Sequence, residues 1–292
     1  MIWRSLQFRR SELFFSAYFI YVAILALARP IAAEVRALTV TTNLAILLWF
    51  FLFAWAHRGH GFTMLDRVRD IYPLPLLLLA YRQMNWIALP QGEPRFEPGW
   101  LEWDLRLLVD WGGTAAVESL GPLLPNVLEL AYLLTYGLPV FGVVALTLAG
   151  ARRRVDDFYS ILLFGTLTAY AFYPWFPSTT PRTLYPDVAP AMDTLVRRAN
   201  LAILGQYAIN ASVFPSGHTA CAFSAAFGLL RVLPGRRRHG SAVLTLAVLI
   251  AIATVYGRYH YVVDTVAGLA MALLALGYSL TWREWKAPSS RT

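Results

Sequence analysis

At 292 residues, 58% of them hydrophobic and only 14% charged, with a mean hydropathy of +0.51, the chain is too apolar for a water-soluble domain, in which about a quarter of residues carry charge. Apolar runs separated by arginine clusters exclude a disordered chain and a collagen-like fibre, and Cys221, the single cysteine, excludes a disulfide scaffold. The net charge of +8 sits mostly in short loops between apolar runs, where basic residues set membrane topology, which argues against nucleic acid as a partner.

About twenty helical residues cross a hydrocarbon core of about 30 Å. Eight segments offer that length: Leu13 to Ala33, Leu38 to Ala56, Ile71 to Leu89, Val127 to Gly150, Phe158 to Phe176, Pro215 to Leu233, Ala242 to Tyr256 and Tyr261 to Trp282. The first follows Arg4, Arg9 and Arg10 as a signal peptide would, but no small-residue cleavage site follows, so it reads as a retained helix. With the second it forms an accessory pair within residues 1–60. His57 and His60, with no third ligand nearby, read as solvated loop residues, as does His239 beside its arginine cluster. The third segment carries Pro73, Pro75, Arg82, Gln83 and Asn85, so it either crosses the membrane or forms a re-entrant element.

From Pro90 to Asn126, Trp100, Trp103 and Trp111 alternate irregularly with Glu102, Asp104, Arg106 and Asp110. This suits a helix in the headgroup layer, a surface anchor in preference to a substrate-recognition element. With the N-terminus inside, most of the 25 lysines and arginines fall on the cytoplasmic side, which supports eight crossings. The expectation is an all-α, polytopic membrane bundle forming one domain over residues 1–292, with residues 158–282 as its catalytic half.

Three polar clusters lie at the ends of helices five to eight: Phe176-Pro177-Ser178-Thr179-Thr180-Pro181-Arg182, Phe214-Pro215-Ser216-Gly217-His218-Thr219, and Tyr256-Gly257-Arg258-Tyr259-His260-Tyr261-Val262-Val263-Asp264. Alternation of the helices puts all three on one face, the extracytoplasmic one. In the second cluster Pro215 suits a first helical turn, which leaves the amides of Ser216, Gly217 and His218 to meet an anion, while Ser216 also suits a helix cap. In the third, His260 and Asp264 are four apart and share a helix face, so Asp264 can hold one imidazole nitrogen while the other acts as nucleophile. His218, from the opposite helix, is placed to protonate a leaving alkoxide.

Arg182 and Arg258 suit bidentate pairing with phosphoryl oxygens, although Arg258 also reads as an arginine snorkelling at a helix end. Lys286 is the sole lysine, so arginine must supply the positive charge. Few carboxylates lie near the clusters beyond Asp264, so neither a metal nor a cofactor is expected.

The Pro215-Ser216-Gly217-His218 run, with His260 and Asp264 downstream, resembles the type 2 phosphatidic acid phosphatase and haloperoxidase superfamily. The Pro181-Arg182 ending, the His260-Tyr261 pair and the eight-helix length are more similar to its inositol phosphorylceramide synthase branch, an inositolphosphotransferase, than to its simple phosphatases. The resemblance covers roughly Phe158 to Trp282. It implies a six-helix core, a phosphohistidine on His260, His218 as acid and then base, Asp264 as orienting carboxylate, and a phosphate held by Arg182, Ser216 and Gly217. Two departures stand out: the lysine usual in the first motif is missing, and the position six before His260, usually arginine, is Thr254.

The expected function is therefore a lipid phosphatase or phosphotransferase of the membrane, acting on a lipid phosphate or phosphodiester. Two rival readings are an intramembrane serine hydrolase, with Ser216 activated by His260, and a transporter or lipid-binding protein with an anion site. The first needs an exposed serine on a strained turn. The second is expected to place broken helices near mid-membrane.

Overall fold

A computed structural model describes residues 6–56, 64–88, 92–233, 235 and 237–281. His57, His60, Lys286 and the expected span ends Leu89 and Trp282 lie outside the described residues. All regular structure among the described residues is helical. Five stretches are long and apolar enough to cross a membrane: α1 (Arg10–Ala28), α2 (Ala33–Ala56), the Leu123–Leu148 pair α7 (Leu123–Leu134) and α8 (Leu138–Leu148), most of α13 (Arg237–Tyr256), and α14 (Val262–Leu280). Their outward faces carry large apolar side chains such as Leu48, Trp49 and Leu52 on α2 and Val140 and Val144 on α8, a surface that lipid covers and water would not.

The centre of the bundle is α12 (Gly217–Val232), packed against α9 (Val155–Phe172), α13 and α14. At ~24 Å it is shorter than the hydrocarbon core is thick. Protein surrounds it instead of lipid, and its run of Ala, Gly, Ser and Thr lets neighbouring backbones approach. One close approach is at Gly268 of α14, where an added Cβ would stand 2.5 Å from the Ser216 carbonyl oxygen. At the periphery α1 packs on α9, and α2 packs on α1.

The third expected segment is two helices, α3 (Met64–Ile71) and α4 (Pro73–Ile87), divided at Tyr72 because Pro73 starts a new helix. α4 joins the two ends of the bundle. It begins beside α3 and ends where Arg29 reaches both the Ile87 and the Pro174 carbonyls and Arg82 donates to the Tyr207 carbonyl. Two of its buried amide contacts are internal: Gln83 donates to Asn43 Oδ1 at 2.6 Å, and Asn43 donates to the Phe19 carbonyl at 3.0 Å, while Gln83 Oε1 has no partner among the described residues.

At the end where α3 lies, arginines read from the sequence as loop residues are bound into the protein. Arg69, 1% exposed, pairs with Glu12, 0% exposed, at 2.7 Å. Arg9 reaches Asp66 and Asp70, and Arg152 reaches Asp70 from the start of α9. His239 sits exposed in the first turn of α13.

The expected headgroup helix is broken into α5 (Glu97–Leu105), a π-helical turn (Arg106–Asp110) and α6 (Gly113–Glu118). Trp103 and Trp111 face outward as expected, but Glu97 and Asp104 are buried against the bundle.

Candidate active site

The three polar clusters meet at one end of the bundle. Ser178 Oγ lies 3.1 Å from Ser212 Oγ and accepts the Val213 N–H, joining the first cluster to the second. The Arg182 N–H donates to the Arg258 carbonyl at 3.1 Å, joining the first to the third. The Ser216 N–H donates to the Asp264 carbonyl at 2.9 Å, joining the second to the third.

The helix start differs from the expected one by two residues. Ser216 has extended φ and ψ and is the N-cap, its Oγ accepting the Thr219 N–H at 3.2 Å, so α12 begins at Gly217 and Pro215 precedes the cap. Two of the three amides expected to meet an anion already have partners, Ser216 in the Asp264 carbonyl and Gly217 in the Tyr173 hydroxyl. Gly217 is also a steric requirement, because a Cβ there would stand 2.7 Å from both Tyr170 Cε1 and the Tyr173 oxygen.

His218 and His260 come together, Nδ1 to Nε2 at 3.3 Å. At that spacing the rings hydrogen-bond directly, so any group entering between them must replace this bond. His260 Nδ1 donates to the Val213 carbonyl at 2.9 Å, with Asp264 Oδ2 farther off at 3.4 Å on the same nitrogen. Asp264 Oδ2 also accepts the Tyr261 N–H at 2.9 Å, which fixes the start of α14. Burial pushes His260 down to about 3, against the hydrogen bond to Val213 and with the Arg182 charge adding to the fall, so its imidazole is neutral at pH 7.

His218 is held on two sides. Its ring stacks on Tyr132 with centroids 4.8 Å apart, and its Nε2 lies 3.2 Å from the Tyr136 hydroxyl. Tyr132 stacks in turn on Tyr259 at 4.1 Å, and the half-buried Arg182 guanidinium lies 4.9 Å from the Tyr259 ring centroid. The Tyr259 hydroxyl donates to Glu129, which also pairs with Arg197 at 2.8 Å and accepts from Asn200.

Arg258 takes a different direction from Arg182. It sits at φ 60, in the left-handed region, and its buried side chain pairs with Asp104 from α5, leaving Nε and Nη2 with no partner among the described residues. Asp104 also accepts the Val262 N–H at 2.8 Å, and burial raises its carboxyl to about 6, opposed by that N–H and by Arg258. Thr254, where the resemblance expects arginine, is fully buried and shares a 3.0 Å hydrogen bond with Thr265.

Sequence reasoning missed Val213, Tyr136, Tyr132, Glu129 and Arg197. Glu129 carried a signal, being an ionisable residue inside an apolar span. The carbonyl of Val213 carried none. Three further contacts tie the α5 region to all three clusters: Glu97 accepts the Thr179 N–H, Trp100 stacks on Phe214 at 5.4 Å, and Asp104 holds Arg258.

A cavity of about 240 Å³ opens beside His218 and Gly217, between α4 and α8, and its wall is mainly apolar with Leu74, Leu77, Pro139 and Val140. Among the described residues no group of three or more His, Cys, Asp or Glu side chains is arranged to hold a metal ion.

A family model described as the PAP2 superfamily matches residues 100–278, which begins inside α5 and ends near the close of α14. A PA-phosphatase related-family protein of Dictyostelium discoideum is 43% identical over 65 residues, 22% of this chain and 11% of the relative's length. This chain therefore aligns with a small part of that relative. No solved structure matches.

Proposed function

The chain belongs to the PAP2 superfamily, and from that premise we propose that it is a membrane-embedded lipid phosphatase or phosphotransferase working through a phosphohistidine on His260. The observation that carries this reading is the 3.3 Å approach of His218 Nδ1 to His260 Nε2, with the other nitrogen of His260 committed to a carbonyl. An imidazole donating from Nδ1 keeps its lone pair on Nε2, the form a nucleophile needs.

In this reading His260 Nε2 attacks phosphorus and the bond from phosphorus to the lipid oxygen breaks. His218 passes a proton to the departing alkoxide. As Nε2 becomes phosphorylated, Nδ1–H grows more acidic, and Asp264 at 3.4 Å stabilises the charge beside the Val213 carbonyl. Arg182 takes the phosphoryl oxygens together with the N-terminal end of α12, where Ser216 is the cap and the Ser216 and Gly217 amides would have to leave their present partners to join it. Arg258, expected as a second phosphate ligand, contributes through the Asp104 pair that fixes its loop, with Nε and Nη2 as its unused donors. An acceptor hydroxyl then gives its proton to His218 and attacks phosphorus, and the N–P bond breaks. Water as acceptor makes the enzyme a phosphatase. An alcohol makes it a transferase, the outcome favoured by the Pro181-Arg182 and His260-Tyr261 features.

The apolar cavity reaching His218 supports a lipid as substrate, since it offers an acyl chain a route from the bilayer to the acid. The arginine bias along the chain supports eight crossings and an extracytoplasmic site. Ser216 is 0% exposed and spends its Oγ on the helix cap, which speaks against a serine nucleophile.

The test is a chase of purified protein with labelled lipid phosphate in chelator, quenched in alkali to preserve phosphohistidine. Label should attach to the wild type and be lost with His260→Ala, together with turnover. Phosphate release by that variant at the wild-type rate would overturn the mechanism. Transport or binding without trapped label would favour the rival transporter.

A further inference from the structure

We propose that Tyr136 is the positioning residue of His218, and that its hydroxyl serves both protonation states of that imidazole by changing from hydrogen-bond donor to acceptor. The inference rests on the reading of His218 as acid and then base. A carbonyl can only accept a hydrogen bond, and one stands at the far end of the chain of contacts.

The Val213 oxygen fixes the proton of His260 on Nδ1, so Nε2 of His260 must accept. The 3.3 Å contact between the rings therefore has His218 Nδ1 as donor. A neutral imidazole with its proton on Nδ1 has a bare Nε2, so in the 3.2 Å contact the Tyr136 O–H donates to it. One acceptor at the far end thus sets the direction of every bond in the chain from Tyr136 to Val213.

The proposed reaction needs His218 in two forms. As acid it carries protons on both nitrogens, and Nε2–H must then find an acceptor. When Nδ1–H goes to the alkoxide, Nε2 keeps its proton and Tyr136 goes on accepting, which leaves Nδ1 bare to take the acceptor's proton; only the resting imidazole, with its proton on Nδ1, needs a donor at Nε2. A carboxylate at this place would favour the charged form throughout, and an ammonium the neutral form. A phenol hydroxyl has one proton and two lone pairs and can meet both. Tyr132 is hydrogen-bonded to the same hydroxyl, and the half-exposed Tyr136 borders the cavity beside His218, where its own proton can turn to another acceptor when Nε2–H donates to it.

The fold places Tyr136 for this. The Leu123–Leu148 span is interrupted at Thr135–Gly137 by a 3-10 turn, with Pro139 in the first turn of α8. That break carries Tyr136, while Tyr132, one turn earlier on α7, supplies the ring on which His218 stacks. Tyr136 belongs to none of the three polar clusters.

The experiment compares leaving groups. Alkoxide departure from dioctanoyl phosphatidic acid needs a proton, whereas p-nitrophenolate leaves readily without one. In the first turnover, which forms the phosphoenzyme before the base step that both substrates share, Tyr136→Phe should slow cleavage of the phosphatidic acid by roughly ten- to a hundredfold while changing release of p-nitrophenolate by less than about threefold. The nearly unchanged second rate also reports that the variant is folded. His218→Asn should show the same selectivity more strongly, and His260→Ala should lose both activities. Equal slowing of both substrates by Tyr136→Phe, or no slowing of either, would overturn the role of Tyr136. Loss of leaving-group selectivity in His218→Asn, or activity surviving in His260→Ala, would instead overturn the reading of the histidines.

Discussion

His260 is neutral in the folded protein at pH values where a free histidine is charged. Its folded value, lowered by burial to about 3, lies below the ordinary 6.5. Below pH 6.5 the unfolded chain takes up a proton at this position that the folded chain does not. The contribution to stability is therefore complete above 6.5 and is lost progressively as pH falls toward 3. The thermal midpoint of the wild type should decline on acidification from pH 7 to 5, and His260→Asn should decline less steeply; parallel curves would show that His260 does not carry this linkage. The candidate residues that the fold brings together were legible in the sequence, because paired histidines and a carboxylate four residues on have little other reason to sit at helix ends. Their partners were not. Val213 acts through its backbone, which no residue identity encodes, and Arg258 and Arg182 look alike in sequence while one is committed to Asp104 and the other lies over Tyr259.

At the level of elements, the site depends on how closely α14 approaches α12. The 2.5 Å that a Cβ at Gly268 would leave to the Ser216 carbonyl makes this a tight point between the helix whose first turn carries His218 and the helix that follows His260. Gly268→Val should cost about 1–3 kcal/mol in overpacking and lower kcat far more than the stability loss explains, since the shift moves His218 relative to His260. Chemical denaturation together with turnover of a lipid phosphate would check this, and a stability loss with unchanged kcat would contradict it. The α5 region is the element whose role was hardest to read. Its tryptophans fit a surface anchor, and Trp103 and Trp111 do face outward, but Glu97, Trp100 and Asp104 turn inward to the three clusters, Trp100 touching both Phe214 and Tyr261. Alternation of tryptophan with acid does not tell which face is inward in a helix interrupted by a π turn, because the interruption rotates the face partway along.

Across the whole molecule, charge gathers at the two ends of the bundle. One end gathers the imidazoles and Arg182, and the other gathers Arg9, Arg69 and Arg152 with Glu12, Asp66 and Asp70. In the second group Glu12 and Arg69 are almost fully buried, and Tyr72 also bonds to Glu12. Glu12→Gln leaves Arg69 buried without its counter-charge and should destabilise the fold by about 3–5 kcal/mol. Because this cluster lies at the far end from the histidines, kcat of the folded fraction should be unchanged. Thermal unfolding and turnover measured on the same preparation check both halves, and a fall in kcat without unfolding would show that the ends are coupled.

The sequence by itself determined the apolar surroundings, the helical class and which residues stand as candidates in the three polar clusters. Each of these follows from local composition and from spacing along one chain: apolar length, proline and serine at a helix start, a carboxylate one turn from a histidine. Only the tertiary structure decided that α12 is wrapped by protein, that α4 joins the two ends, which nitrogen of each histidine faces which partner, and that Tyr136 and Glu129 belong near the site. Those facts depend on contacts between residues far apart in the chain, and the side chains and carbonyls involved carry the same identity whether they meet a partner or lipid.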